Sequence, residues 1–190
     1  LQDAELVQVI IPSSFIEYYA KVMSYHVTND HLIFFNIAAS MGSIRFMNVL
    51  EDRNIDVHPK FAEANTLTYG TRVDFAQARV DLSLNVRRVY FSTFNREELN
   101  DSYDKVSQIY PQLVKEESLL KTNLENGNPE VHPGPTLLNV GRIDHAQKFS
   151  LYKEGITQHT VRLLHAIELE RINLGRRLGF ELESADRKSV

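Results

Sequence analysis

Leu6-Val-Gln-Val-Ile-Ile-Pro-Ser-Ser14 opens with a nearly continuous apolar run that stops at Pro12. Such a run suits a strand buried on both faces of a parallel sheet, with Ser13 or Ser14 placed to cap the helix that follows. That helix puts Phe15, Ile16, Tyr19, Val22 and Met23 on one face, and its pattern fades by Thr28-Asn-Asp30. Leu32-Ile-Phe-Phe-Asn-Ile-Ala38 reads as a second buried strand and completes a βαβ unit. A loop with Gly42, a cap at Ser43 and a helix through Ile44, Phe46, Met47 and Leu50 come next, and Lys60 to Thr66 supplies a further strand. Together they make half of a doubly wound sheet.

Ligands of such sheets sit beyond the carboxyl ends of the strands. Pro12, Ser13, Ser14 and the loop from Asn36 to Gly42 are therefore candidate ligand contacts. Both serines also read as plain helix caps, and the two roles coexist at one helix N-terminus. The Gly-rich phosphate fingerprint G-x-G-x-x-G, which belongs to the first βα turn of a dinucleotide fold, occurs nowhere in the sequence. The chain is thus expected to open in the middle of such a domain.

From Arg72 to Phe94 the period changes to two. Val80, Leu82, Leu84 and Val86 alternate with Asp81, Ser83 and Asn85, and Val89 and Phe91 continue the pattern, as in half-exposed antiparallel strands at a sheet edge. Asn95 with Glu98 resembles a capping box and Phe94 with Leu99 a hydrophobic staple, which predicts a helix from Arg96 to before Pro111. Leu113 to Glu117 is a short connection to Ser118 and a helical pattern of Leu119, Leu120 and Leu124 ending near Gly127.

Composition narrows the function. The 190 residues, 43% of them hydrophobic, suffice for one good-sized core or two small ones. A formal net charge of -4, with Lys and Arg scattered, argues against nucleic acid and anionic membranes as partners. The absence of cysteine excludes thiolate metal sites, disulfide scaffolds and cysteine nucleophiles. Apolar runs such as Leu32 to Ala39 are too short to span a bilayer, and Leu1-Gln-Asp-Ala-Glu5 is no signal peptide, so a cytoplasmic protein is expected.

The candidate chemistry lies in Asn126-Gly-Asn-Pro-Glu-Val-His-Pro-Gly-Pro-Thr-Leu-Leu-Asn-Val-Gly141. Pro135 suits the first turn of a helix through Leu137 and Leu138, which leaves His132 just ahead of a helix N-terminus. The positive end of a helix favours a neutral ring able to accept a proton, which suits a general base. On a helical turn Asn128 and His132 are spaced i, i+4 and share a face. The same residues also read as a turn with His132 as a structural cap.

Beyond this stretch only helix is expected. Ile156, Thr160, Leu163, Leu164, Ile167, Leu174 and Leu178 share one face, Gln158, Arg162, Glu168 and Arg171 lie mostly opposite, and Gly179 supplies the stop. Further helices or a second subunit, giving a homodimer through the helical domain, are needed to cover that face. His159 and His165 do not share a face as metal ligands would, no metal site is expected, and Glu181 to Val190 is polar without period.

Several of these segments, taken in order, resemble the octopine/nopaline (opine) dehydrogenase family. They are Val9-Ile-Ile-Pro12, Glu63-Ala-Asn-Thr-Leu-Thr-Tyr-Gly-Thr-Arg72, Asn128-Pro-Glu-Val-His-Pro-Gly-Pro-Thr-Leu-Leu-Asn139 with Gly141, Tyr152-Lys-Glu-Gly-Ile-Thr157, and Glu170-Arg171 to Leu178-Gly179. The resemblance implies an α/β fold. Residues 1–117 would be the C-terminal half of a Rossmann-like dinucleotide-binding domain, and residues 118–190 the start of an all-helical, 6-phosphogluconate-dehydrogenase-like C-terminal domain.

It also implies an NAD- or NADP-dependent oxidoreductase that condenses an amino acid with an α-keto acid such as pyruvate and reduces the imine to a secondary-amine dicarboxylate. His132 matches the family's catalytic histidine, Asn128 and Asn139 match polar positions beside it, and Thr66 and Thr71 fall where the family contacts substrate. A nicotinamide would lie over Pro12, Ser13 and Ser14. Two departures stand out: the family's histidine is oriented by an acidic residue from a later helical segment, for which Asp144 is in the wrong place, and the pyrophosphate-binding turn is missing. The alternatives are a keto-acid or hydroxy-acid reductase of the same two-domain plan and a non-catalytic association domain.

Overall fold

The computed structural model describes residues 3–37 and 40–184, and the chain divides into two compact units, Leu1–Asn123 and Leu124–Val190. The first unit contains β1 (Leu6–Val9), α1 (Ile16–Met23), β2 (Leu32–Phe35), α2 (Gly42–Asp52), β3 (Lys60–Ala64), β4 (Tyr69–Asp74), β5 (Arg79–Asn85), β6 (Val89–Thr93), α3 (Leu99–Ser107) and β7 (Leu113–Lys115). Its main sheet has the order β1-β2-β3-β6-β7, with the first three strands parallel and β6 and β7 running the other way. The βαβ reading therefore holds, and the architecture is α/β.

The apolar run of β2 is explained by its place in the middle of two clusters. Ile33 and Phe35 pack with Ile16, Ala20, Phe46, Leu50 and Phe61 under α1 and α2, whereas Leu32 and Phe34 pack with Val89, Phe91, Leu99, Val106 and Tyr110 under α3. A fully buried Phe or Leu contributes about 1.5–3 kcal/mol, so both faces of one short strand carry a large share of the core. The expected extension of this strand through Ile37 stops at Phe35, and Ala38 and Ala39 lie outside the described residues.

Several expectations change in the three-dimensional structure. β1 is an edge strand and is only half-buried over Leu6 to Gln8, because just one of its edges is paired. α1 buries Ile16 and Ala20, while Phe15, Tyr19 and Val22 of the predicted apolar face are exposed. A 3₁₀ turn at Ser13–Phe15 precedes it, and no side-chain cap forms there, so neither serine caps the helix. The period-two segment is split between two sheets. β4 and β5 form a separate hairpin whose Val73, Val80, Leu82 and Leu84 remain exposed, whereas β6 is an interior strand of the main sheet. Alternation alone cannot tell an isolated ladder from a strand inserted between buried neighbours. The Leu113 to Glu117 connection contains β7, too short for its pattern to show.

The start of α2 is held by the sheet rather than by Ser43. Met41 takes a left-handed backbone (φ 61°) at the N-cap, and its N–H donates to Asn123 Oδ1 at 2.7 Å. The Ser43 N–H donates to Glu63 Oε1 at 2.7 Å, and Asn123 Nδ2 donates to Glu63 Oε2 at 2.9 Å. Glu63, on β3, is completely buried, so its carboxyl serves as a cap supplied from 20 residues away. Gly42 beside it sits close to the sheet, since a Cβ there would stand 3.0 Å from the Phe35 ring.

The second unit is helical among its described residues, as expected: α4 (Leu119–Leu124) spans the boundary, followed by α5 (Asn128–Val131), α6 (Pro133–Leu138), α7 (Val140–His145), α8 (Leu151–Glu154) and α9 (Gln158–Arg177). Thr157 caps α9 by accepting from the Thr160 N–H, and Gly179, at φ 82°, follows its end as the expected stop. No described helix is long and apolar enough to cross a membrane.

Replacing Glu63 with Ala is expected to lower the unfolding free energy by about 1–3 kcal/mol, because the buried Ser43 N–H loses its acceptor and the half-buried Asn123 amide one of its two. Glu63→Gln, which keeps one acceptor oxygen, should lose less. Urea denaturation of the two variants provides the comparison.

Candidate active site

His132 closes α5 and opens α6, a single residue between two short helices. α6 begins at Pro133, two residues earlier than Pro135, because a proline at the first helical position gives up an N–H that has no partner there. The short helix before His132 makes the i, i+4 geometry real: His132 N–H donates to the Asn128 carbonyl at 3.1 Å, and His132 Nε2 lies 3.1 Å from Asn128 Oδ1.

A third side chain completes the arrangement. Tyr152 Oη lies 3.1 Å from His132 Nδ1, with the two ring centroids 6.0 Å apart. A carboxamide oxygen only accepts, so Nε2 carries the ring proton, and the Nδ1 lone pair receives the Tyr152 O–H. The one basic lone pair of the neutral imidazole is thus reached through a phenol. Tyr152 and Asn128 are exposed and His132 is half-buried, so the group is open to a small molecule. Sequence reading quoted Tyr152 within a motif but gave it no role. Its 20-residue separation from His132 leaves no periodic signal.

Asn139 acts as a brace between these parts. Its Nδ2 donates to the Pro135 carbonyl at 2.8 Å and to the Gly155 carbonyl at 3.0 Å, tying the end of α6 to the end of α8, which bears Tyr152. Gly155 has no room for a side chain, because a Cβ would meet the Leu151 carbonyl at 2.7 Å and Asn139 Nδ2 at 3.1 Å. Both amide hydrogens of Asn139 are committed to backbone, which leaves its Oδ1 as the atom with capacity for substrate.

Two residues before His132, the buried Glu130 pairs with Arg171 Nε on α9. Arg171 Nη1 also lies 3.5 Å from Glu125 and donates to the Leu124 carbonyl at 3.1 Å, and Nη2 donates to the Glu183 carbonyl. Burial pulls the guanidinium below its ordinary pKa, and the Glu125 charge acts against that shift. Arg171 and Glu168, expected on the outer face of the long helix, are instead on its covered side, because buried carboxylates draw Arg171 inward.

In the first unit Pro12 and Ser14 are exposed and Ser13 is half-buried beyond the carboxyl end of β1, with no hydrogen bond or ion pair recorded for either hydroxyl. Asn36, beyond β2, is buried. Its Nδ2 donates to Thr68 Oγ1 at 3.0 Å and its Oδ1 accepts the Thr68 N–H at 3.2 Å, a clasp that sequence reading missed. Thr66 is half-buried in the turn after β3, whereas Thr71 is exposed on β4, so the structure separates these two threonines onto different elements. No group of three or more His, Asp or Glu suited to a metal exists among the described residues.

The family model for the NAD/NADP octopine/nopaline dehydrogenase alpha-helical domain matches residues 115–189. Residues 115–189 are thus similar to the helical domain of that family. An opine dehydrogenase from Arthrobacter sp. (strain 1C) is 23% identical over 184 residues, covering 97% of this chain and 51% of that protein. The structure of yersinopine dehydrogenase with NADP+ is similar with a TM-score of 0.73 at 14% identity, over 98% of this chain and 47% of that one. Octopine dehydrogenase with NADH and L-arginine gives 0.64 at 16% identity, over 93% and 44%. The chain therefore spans about half the length of these relatives and shares their fold, a Rossmann-like domain followed by a helical domain.

Asp144 is exposed on α7 and makes no recorded hydrogen bond or ion pair, and the position at His132 Nδ1 is taken by Tyr152.

Long-range ¹H–¹⁵N spectra should show the neutral His132 ring protonated at Nε2, with Tyr152→Phe shifting the Nδ1 resonance; an Nδ1–H ring would reverse the assignment. Arg171→Met, which leaves Glu125 and Glu130 buried without their cation, is expected to cost about 3–5 kcal/mol in thermal or urea unfolding.

Proposed function

We propose that this chain carries the histidine of an opine dehydrogenase-type oxidoreductase, which joins an amino acid to an α-keto acid such as pyruvate and reduces the product with NADH or NADPH. The observation that carries this reading is the hydrogen-bonded chain Asn128–His132–Tyr152 in an octopine dehydrogenase-like helical unit. The named relatives add that octopine dehydrogenase binds L-arginine and, in a separate structure, pyruvate.

The chemistry suits the residues. An amino acid enters as an ammonium ion and must lose a proton before its nitrogen attacks the keto carbon. The Tyr152 hydroxyl takes that proton while passing its own to His132 Nδ1, and Asn128 Oδ1 steadies the resulting imidazolium at Nε2–H. The relay runs backwards when the carbinolamine oxygen gains a proton and departs as water. A base that first accepts and then returns one proton serves both halves of the condensation. Asn139 Oδ1 is the candidate acceptor for a substrate N–H or carboxylic O–H.

For the dinucleotide, the uncapped hydroxyls of Ser13 and Ser14, with Pro12, fit the nicotinamide end at the carboxyl edge of a parallel sheet. Asn36 supports that edge through Thr68, and Thr66 and Thr71 are assigned to substrate contact. A bound NADH or NADPH supplies the hydride that reduces the imine. The half-exposed apolar stripe of α9, including Leu163, Leu164 and Ile167, supports association of two copies through the helical domain.

The test is oxidation of NADH and NADPH by the full-length protein with pyruvate alone and with pyruvate plus pooled amino acids. Turnover should depend on the amino acid and fall about 10²–10⁴-fold in His132→Ala, with a smaller loss in Tyr152→Phe. Equal turnover with keto acid alone would instead indicate a simple keto-acid reductase, and none from a folded protein a non-catalytic association domain.

A further inference from the structure

The sheet of the first unit has a second end, away from Pro12, Asn36 and Thr66. There β3 begins at Lys60, the antiparallel β6 finishes at Thr93, and the last turns of α2 and the segment 53–59 frame a cavity of about 340 Å³. Its walls are largely apolar, formed by Met47, Leu50, Ile55, Val57, Phe61 and Phe94. Two carboxyl groups face the same space, Glu51 on α2 and Glu98 in the turn before α3.

Glu98 is the informative one. The capping-box pattern expects its side chain to turn back onto Asn95, but the recorded side-chain cap is Asn95 Oδ1 accepting from the Glu97 N–H at 3.4 Å. The Glu98 carboxyl makes no recorded hydrogen bond or ion pair, although it is half-buried. Burial raises its pKa above the usual carboxylate value; Lys60 opposes the shift from beyond ion-pair distance, and Glu97 reinforces it. His58, the other titratable group on this cavity, is 3.2 Å from Asp56 and exposed. A half-buried carboxyl with no hydrogen-bond partner beside hydrocarbon walls is a poor feature of a folded chain and a good half of a binding site.

The occupant follows from the lining. Two carboxyl groups repel an anion, and the absence of a three-donor cluster among the described residues disfavours a bare metal ion. We propose that this cavity binds a small organic ammonium ion, an alkyl or aryl-alkyl amine whose nitrogen pairs with Glu98 while its hydrocarbon lies against Met47, Leu50 and Val57. The cavity lies at the opposite end of the sheet from the proposed cofactor loops, so its ligand acts as an effector rather than beside the cofactor.

The probe is 2-phenylethylamine, with 2-phenylethanol and 3-phenylpropionate as matched neutral and anionic controls, titrated into protein labelled with ¹³C at its methionine methyls. The Met47 methyl should shift saturably with the amine, at a midpoint about tenfold or more below that of the alcohol, and the carboxylate should not bind. Glu98→Gln should weaken the amine to the level of the alcohol while leaving the fold intact, because the carboxyl has no partner to lose. An amine that binds no better than the alcohol, an unmoved Met47 resonance, or unchanged affinity in Glu98→Gln would each overturn the proposal. The comparison of ligands on the unaltered protein decides the matter even if the variant folds poorly.

Discussion

Arg171 is the constraint on which the helical unit depends. No Leu, Ile, Val, Met or Phe in residues 124–184 is fully buried, while Glu125, Asn126, Glu130 and Thr160 are, and Arg171 keeps only 9% of its side chain exposed. Ordinary helical packing hides apolar stripes and leaves charge outside. Here one guanidinium is shared by two carboxyls and two backbone carbonyls, joining α9 to the segment that leads into α5 and to Glu183 beyond the long helix. Because Glu130 is two residues from His132, the same network fixes the backbone from which the imidazole projects.

The first unit solves the same problem by the opposite means. Its two apolar clusters meet back to back across β2, and a buried carboxyl beside them, Glu63, is consumed by the amides of Ser43 and Asn123. Hydrophobic burial is roughly proportional to area and indifferent to direction, so it sets the layers of this unit without aiming any single atom. The direction comes from the polar clasps at strand ends, Glu63 on α2 and Asn36 on Thr68, each of which satisfies groups the sheet cannot.

These two modes account for what was readable from the chain. Strands β1 to β3 and helix α2 were legible because a continuous apolar run and a 3.6-residue period are local patterns, and His132 with Asn128 was legible because an i, i+4 pair needs only one helical turn. The exposed face of α1 was misread because Phe15, Tyr19 and Val22 have the right period, yet burial went to Ile16 and Ala20. Tyr152, Thr68 and the inward turn of Arg171 were invisible for a different reason: each finds its partner at least 20 residues away. Sequence separation carries no signal about which distant polar groups will meet.

His132 is only half-buried, so its position cannot be set by packing alone. Water competes for every hydrogen bond of a side chain outside a core, so the imidazole cannot depend on Asn128 and Tyr152 alone. Its backbone is therefore immobilised: Pro129, Pro133 and Pro135 each lock one φ angle, and two helical turns meet at the residue between them. Below the turn Glu130 is anchored by Arg171, and above it Asn139 fixes Gly155 and with it the short helix bearing Tyr152. Rigidity supplied by ring geometry and buried charge adds to what partial burial gives, and the Tyr152 hydroxyl that covers the Nδ1 lone pair belongs to an exposed side chain.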